Sequence, residues 1–258
     1  MNDTILLVGH GSREVAGNHD ILVFADKWRT RHFDWRIEVC FIEHADVLLE
    51  AGLDAAALNS ARVLVVPLIL NAAGHVQEDI PNAIEAARQR HPQVLFHATK
   101  HLGMNLTILE VLQKRVRTAL RELDMPDPQT TGIILLGRGS SEANANAEVA
   151  KMARWLFEKN EFDLVDVAFT GITWPRIETV VQRHAREGMT QIIVLPLYLF
   201  TGVLTERIQQ QMVRIKKSWP LIAFALGSPI GSDEGILDLL DQRVSENEVS
   251  EKRSFSGD

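Results

Sequence analysis

Only one cysteine, Cys40, occurs in the chain. A single thiol excludes an internal disulfide, and it excludes a zinc finger or iron–sulfur cluster built from the cysteines of one chain. The expected setting is therefore reducing and cytoplasmic. Long hydrophobic runs are also missing. A bilayer span needs about 20 consecutive apolar residues, and a stretch such as Val63 to Leu70 is interrupted by Pro67. The short apolar run Ile5 to Val8 follows Met-Asn-Asp-Thr, without the basic flank of a signal peptide. No membrane partner is expected. Positive charge is in deficit too: 27 Lys and Arg against 34 Asp and Glu leave a formal net charge of −7. Such a chain has no global attraction for nucleic acid, so an anionic ligand must meet locally placed bases.

What is present is alternation. Short β-branched runs bounded by Gly or Pro alternate with longer amphipathic segments, the pattern of βαβ units around a parallel sheet. Strands are predicted near 4–9, 36–42, 62–67, 93–97, 131–136, 164–170, 191–195 and 221–226. Helices are predicted near 14–32, 46–59, 80–90, 105–122, 142–159, 175–187, 203–217 and 233–243. Pro81 and Pro175 fall in first turns, where a missing N–H costs little. The proline-interrupted stretch Met125-Pro126-Asp127-Pro128-Gln129 reads as a linker. It divides a domain at 1–124 from a second at 130–244, and the polar residues 245–258, without apolar period, predict a disordered tail.

The halves repeat one another. Ile5-Leu-Leu-Val-Gly-His-Gly-Ser12 aligns with Ile133-Ile-Leu-Leu-Gly-Arg-Gly-Ser140, an offset of 128 residues, and Phe41-Ile-Glu43 meets Phe169-Thr-Gly171 at the same offset. Val65-Val-Pro-Leu-Ile-Leu70 matches Val194-Leu-Pro-Leu-Tyr-Leu199 with one residue of slippage. Duplication followed by divergence explains the pattern.

In an open α/β sheet, ligands lie beyond the carboxyl ends of the strands. His10, Glu43 and, after a short loop, His75 occupy such positions. Two imidazoles and a carboxylate suit a first-row divalent ion with open coordination positions, and they supply bases near neutrality. The repeat is an internal control. The second half places Arg138, Gly171 and Val203 where the first has His10, Glu43 and His75, so the three candidates are lost together, as members of one site would be. Each alone has a plainer reading: a turn residue for His10, a solvated strand-end carboxylate for Glu43, a loop histidine for His75.

Ser12 and Ser140 are candidate donors to an anionic group or simple helix caps. Arg13, Arg138, Arg176 and Arg207 lie near strand exits, where a guanidinium can grip a carboxylate bidentately, or are ordinary surface arginines. His19, His32, His91 and His184 are expected on solvated surface. Strand alternation sends His44 away from the side that Glu43 faces, unless the strand has already ended. Gly9-His10-Gly11-Ser12 lacks the third glycine and the distal acid of a dinucleotide fingerprint.

These motifs resemble the class II tetrapyrrole chelatases, in the long two-repeat form of sirohydrochlorin cobaltochelatase and ferrochelatase. The resemblance covers residues 4–244. It is carried by Leu-Leu-Val-Gly-His-Gly-Ser-Arg at 6–13, Phe-Ile-Glu at 41–43, Val-Pro-Leu-Ile-Leu-Asn-Ala-Ala-Gly-His-Val at 66–76, Leu-Leu-Gly-Arg-Gly-Ser-Ser at 135–141 and Leu-Pro-Leu-Tyr-Leu-Phe-Thr-Gly-Val-Leu at 195–204. It implies a chelatase-like α/β fold of two similar domains, each a parallel sheet flanked by helices, with a cleft between them. It implies sirohydrochlorin as substrate, His10, Glu43 and His75 as the metal-handling and catalytic residues, and no permanently bound cofactor. The divalent ion, Co2+ or Fe2+ with Ni2+ as a third candidate, is itself a substrate. On this reading the imidazoles hold the ion, Glu43 removes protons, and Ser12, Arg13, Arg138, Ser140 and Arg207 grip substrate carboxylates in a monomer. Two rival readings use the same residues: a non-catalytic carrier of tetrapyrrole or metal, and a phosphohistidine transferase built on Gly-His-Gly-Ser.

Overall fold

A computed structural model describes residues 3–71, 78–159 and 161–255. The order of elements is β1 (Asp3–Gly9), α1 (Val15–Arg31), β2 (Arg36–Phe41), α2 (Leu49–Ala57), β3 (Arg62–Pro67), α3 (Ile80–Arg90), β4 (Leu95–Ala98), α4 (Leu106–Leu120), β5 (Thr131–Gly137), α5 (Ala143–Glu158), β6 (Leu164–Phe169), α6 (Ile177–Arg186), β7 (Gln191–Pro196), α7 (Val203–Ser218), β8 (Ala223–Leu226) and α8 (Glu234–Phe255). These follow the expected alternation closely. Two four-stranded sheets result, ordered β2-β1-β3-β4 and β6-β5-β7-β8, with every pairing parallel. Parallel strands covered on both faces must be apolar throughout. Leu6, Leu7 and Val8 of β1 and Ile133 to Leu136 of β5 are accordingly fully buried.

Local chemistry explains most boundaries. Pro81 sits in the first turn of α3. The Asn105 side chain caps α4 by accepting from the Ile108 amide at 3.1 Å. Pro175 departs from expectation: α6 begins only at Ile177, and the Pro175 carbonyl instead accepts from the Phe169 amide at 2.8 Å.

One compact unit takes the chain up to Gly103 and again from Ile236 onward; the other takes Met104–Gly235. The units therefore differ from the sequence halves by one helix each. α4 packs against β7, β8 and α5 through an apolar face that includes Ile108, Leu109, Leu112 and Val116, so the 125–129 linker runs inside the second unit. α8 belongs to the first unit. There Asp241 accepts from Trp28 Nε1 (2.8 Å) and pairs with His32 Nε2 (2.8 Å) and Arg31 Nε (3.1 Å), while Arg243 donates to the carbonyls of His101 and Leu102.

The expected disordered tail is helix as far as Phe255. Extending a helix whose preceding turns are already anchored avoids the nucleation cost that would defeat the same polar residues alone. Bonds from Gln242 and Arg243 to Glu246 support the first turn of that extension. No helix among the described residues is long and apolar enough to cross a membrane.

Candidate metal site at the strand ends of the first unit

The first unit's sheet reverses its winding between β1 and β3, so the crevice at their carboxyl ends is where this class of sheet binds ligands. The chain leaves β1 as His10-Gly11-Ser12. Gly11 has φ +92°, and a Cβ there would lie 1.6 Å from the Glu43 carbonyl oxygen. Only glycine lets the two loops pass so closely. Two bonds continue the β1·β2 ladder beyond the strands, from the Ile42 amide to Gly9 O (3.0 Å) and from the Glu43 amide to His10 O (3.1 Å).

That register sets Glu43 beside His10, with His10 Nδ1 3.4 Å from Glu43 Oε1 and 3.3 Å from Gly11 O. Nδ1 therefore faces two acceptor oxygens. An imidazole oriented through one nitrogen by a carboxylate, with the other turned to an ion, is the usual support of a histidine metal ligand. Both side chains are about one-third to two-fifths exposed, accessible to an incoming solute.

Of the two alternatives for His44, the structure shows the one in which the strand has already ended. β2 ends at Phe41 and His44 has φ +53°, so the chain curls back and sets His44 Nε2 3.3 Å from Glu43 Oε2. Glu43 is thus bracketed by two imidazoles. Asn18 clamps the arrangement: its Nδ2 donates to His44 O (2.7 Å) and Ser12 O (3.1 Å), and its Oδ1 accepts from the Ser12 amide (2.8 Å). Ser12 Oγ accepts from the Glu14 amide (3.1 Å), which fits the helix-entry reading of this serine. Arg13 is exposed, its Nε 3.5 Å from His44 Nε2. Among the described residues, no three of His, Cys, Asp or Glu converge on one cation position; His75 lies outside the described residues. Cys40 offers no thiolate, since burial pushes its pKa up to about 12.

The second unit repeats the backbone plan with different side chains. Gly139 has φ +87° and a Cβ there would lie 2.2 Å from Gly171 O. The Thr170 and Gly171 amides donate to Gly137 O and Arg138 O. Asn146 brackets Ser140 as Asn18 brackets Ser12, and Ser140 Oγ accepts from the Glu142 amide. On this frame Arg138 stands exposed in place of His10, Gly171 in place of Glu43, and Ile172, also at positive φ (+62°), in place of His44. Thr170 Oγ1 and the Tyr198 hydroxyl lie 2.8 Å apart, and burial pushes that hydroxyl's pKa up to about 12. Val203 opens α7, and Arg207 lies exposed on its second turn.

Three histidines expected on solvated surface are not there. His184 is fully buried, 3.3 Å from Asp166 Oδ2, and His32 and His91 are mostly buried against Asp241 and Asp54.

The CbiX family profile matches residues 4–119 and again 132–247, once per repeat. The chain is 33% identical over 248 residues to the sirohydrochlorin cobaltochelatase of Priestia megaterium, covering 94% of this chain and 79% of that one. It is 26% identical over 260 residues to the sirohydrochlorin ferrochelatase of Bacillus subtilis (strain 168), covering 100% and 97%. The solved structure of SirB from Bacillus subtilis with Fe3+ is similar over the full length of both chains, with a TM-score of 0.83 at 26% identity.

Proposed function

The chain belongs to the CbiX family, and from that premise we propose that it is a sirohydrochlorin chelatase whose metal-handling residues are His10, Glu43 and His75. The reaction places Co2+ or Fe2+, with Ni2+ as a third candidate, into the macrocycle. The metal is a substrate, and no resident cofactor is required. The observation that carries the residue assignment is the His10–Glu43 contact of 3.4 Å, set on a loop frame that the second unit preserves while replacing both side chains.

Metal insertion must strip water from the ion and remove two pyrrole N–H protons. Nitrogen and carboxylate ligands suit this because they accept borderline divalent ions and leave coordination positions open, whereas a closed thiolate set retains its metal. His10 and His75 hold the ion, and Glu43, kept in place by its two imidazole neighbours, takes the pyrrole protons. Arg13, Arg138 and Arg207 bind carboxylates of the substrate, helped by Ser12 and Ser140. Their contribution is to ground-state binding, so their loss raises KM more than it lowers kcat. We place the reaction in the cytoplasm and in a monomer, without nucleic acid or membrane partners. The lone buried thiol and the net charge of −7 support that setting.

Anaerobic spectrophotometry of the purified chain with sirohydrochlorin and each of the three ions tests the reading. Multiple-turnover spectral conversion that disappears in His10→Ala is the expected result. Stoichiometric retention of metallated product without turnover would instead make the chain a carrier.

A further inference from the structure

We propose that the second unit carries a ring-and-carboxylate subsite for the tetrapyrrole, made by Trp174 and Arg176 in the loop after β6. This rests on the substrate reading above and adds residues to it. Of the chain's five tryptophans, four are buried or half-buried; Trp174 is 67% exposed, and Ile172 two residues before it is 61% exposed. Ile172 holds a left-handed backbone (φ +62°), an uncommon conformation for a β-branched side chain. Water contact with an indole and an isoleucine held in this way gains the fold nothing, whereas a flat conjugated ligand would cover both.

The electrostatics agree. Arg176 Cζ lies 5.0 Å from the Trp174 ring centroid, a cation–π contact that aligns the indole. Arg176 Nη1 is buried and finds no hydrogen-bond partner among the described residues, so the guanidinium retains donor capacity. Neither Thr170–Arg176 nor the adjoining Gly137–Ser141 contains an acidic residue, and together they carry Arg138 and Arg176. The two loops are knit by the Gly171 amide to Arg138 O bond (3.0 Å), and the tip is tied back by Phe169 N donating to Pro175 O (2.8 Å). In the first unit the equivalent loop bears a carboxylate and an imidazole, ligands for a cation. Here it bears guanidinium, indole and isoleucine, which match an anionic aromatic ligand with carboxylates on its rim.

The test is equilibrium titration of the full chain with metal-free sirohydrochlorin and with its fully esterified form, following the macrocycle's absorbance. Trp174→Ala is expected to weaken binding of both forms about tenfold, and Trp174→Phe less than about threefold, the scale of one aromatic contact. Arg176→Gln is expected to weaken the acid about tenfold and the ester no more than about threefold, because only the acid offers it a charge while both forms lose the alignment of the indole. In turnover these losses appear in KM rather than kcat. Wild-type affinity and KM in both Trp174→Ala and Arg176→Gln would overturn the subsite and leave the chelatase reading intact. Failure of the wild-type chain to bind or metallate sirohydrochlorin would overturn both. Trp174→Ala removes an exposed side chain and decides the matter alone if Arg176→Gln does not fold.

Discussion

The loops after β1 and β5 share one backbone plan and carry opposite chemistry. Each has a glycine at positive φ passing against the neighbouring loop, a serine bracketed by an asparagine six residues on, and ladder bonds continued past the strand end. In the first unit this frame presents His10, Glu43 and His44; in the second it presents Arg138, Gly171 and Ile172. What survives in both is what the backbone needs, and what differs is what a ligand would read.

The largest effect should come from breaking the asymmetry at its centre. His10→Ala or Glu43→Gln is expected to lower kcat by about 10²–10⁴-fold, the usual range for loss of a proton-transferring or ion-holding group. Arg138→Ala should leave kcat within about threefold and raise KM about tenfold, as loss of a charged contact to substrate does. Steady-state kinetics on the three variants separates the loops.

The shared frame should respond alike in both units. Gly11→Ala and Gly139→Ala each force a Cβ into a carbonyl at positive φ and should each lower stability by about 2–4 kcal/mol in urea unfolding. A large loss in one and none in the other would mean that the two loops are not equivalent.

The clamps are equivalent in form but not in what they hold. Asn18→Ala frees the His44 carbonyl and the loop that bears Glu43, and should lower metal affinity or kcat about tenfold, as supporting residues around a metal site do. Asn146→Ala should leave both within about twofold.

The smallest effect is confined to acid pH. Asp166 lies in β6, opposite Ile134 of β5. The His184 imidazole, with Arg183, holds the Asp166 carboxyl below its usual value against the opposing effect of burial. A carboxyl depressed by folding stabilises the native state above its unfolded pKa, and that share is lost as pH falls through the lower folded value. Wild-type stability should therefore decline below about pH 4 more steeply than that of Asp166→Asn. Urea midpoints across that range measure the difference.

Much of this architecture was legible in sequence. β3 and α3 fall at their expected bounds because Pro67 and Pro81 mark a strand end and a helix start. The loss of all three candidate ligands in the second half was legible because the repeat offered a position-by-position reference. His44 was legible only as one of two alternatives, since alternation assumes a strand that continues, and the chain here turns through positive φ. His184 was missed because its burial depends on Gly132, whose absent side chain leaves the space the ring fills: a Cβ there would lie 2.1 Å from His184 Nδ1. The exchange of α4 and α8 between units was equally hidden. An amphipathic pattern says that one face is covered without saying by which sheet. The helical extension to Phe255 likewise depends on anchoring through Asp241 and Arg243, which composition does not reveal.

The central claim, that metal handling belongs to the strand ends of the first unit alone, is tested most directly by titrating the apo chain anaerobically with Co2+ and following the ion's visible absorption. The account predicts one Co2+ per chain with a spectrum of nitrogen and oxygen ligation, lost in His10→Ala and weakened in Glu43→Gln, and unchanged in Arg138→Ala. Co2+ binding that persists in His10→Ala and disappears in Arg138→Ala would contradict it.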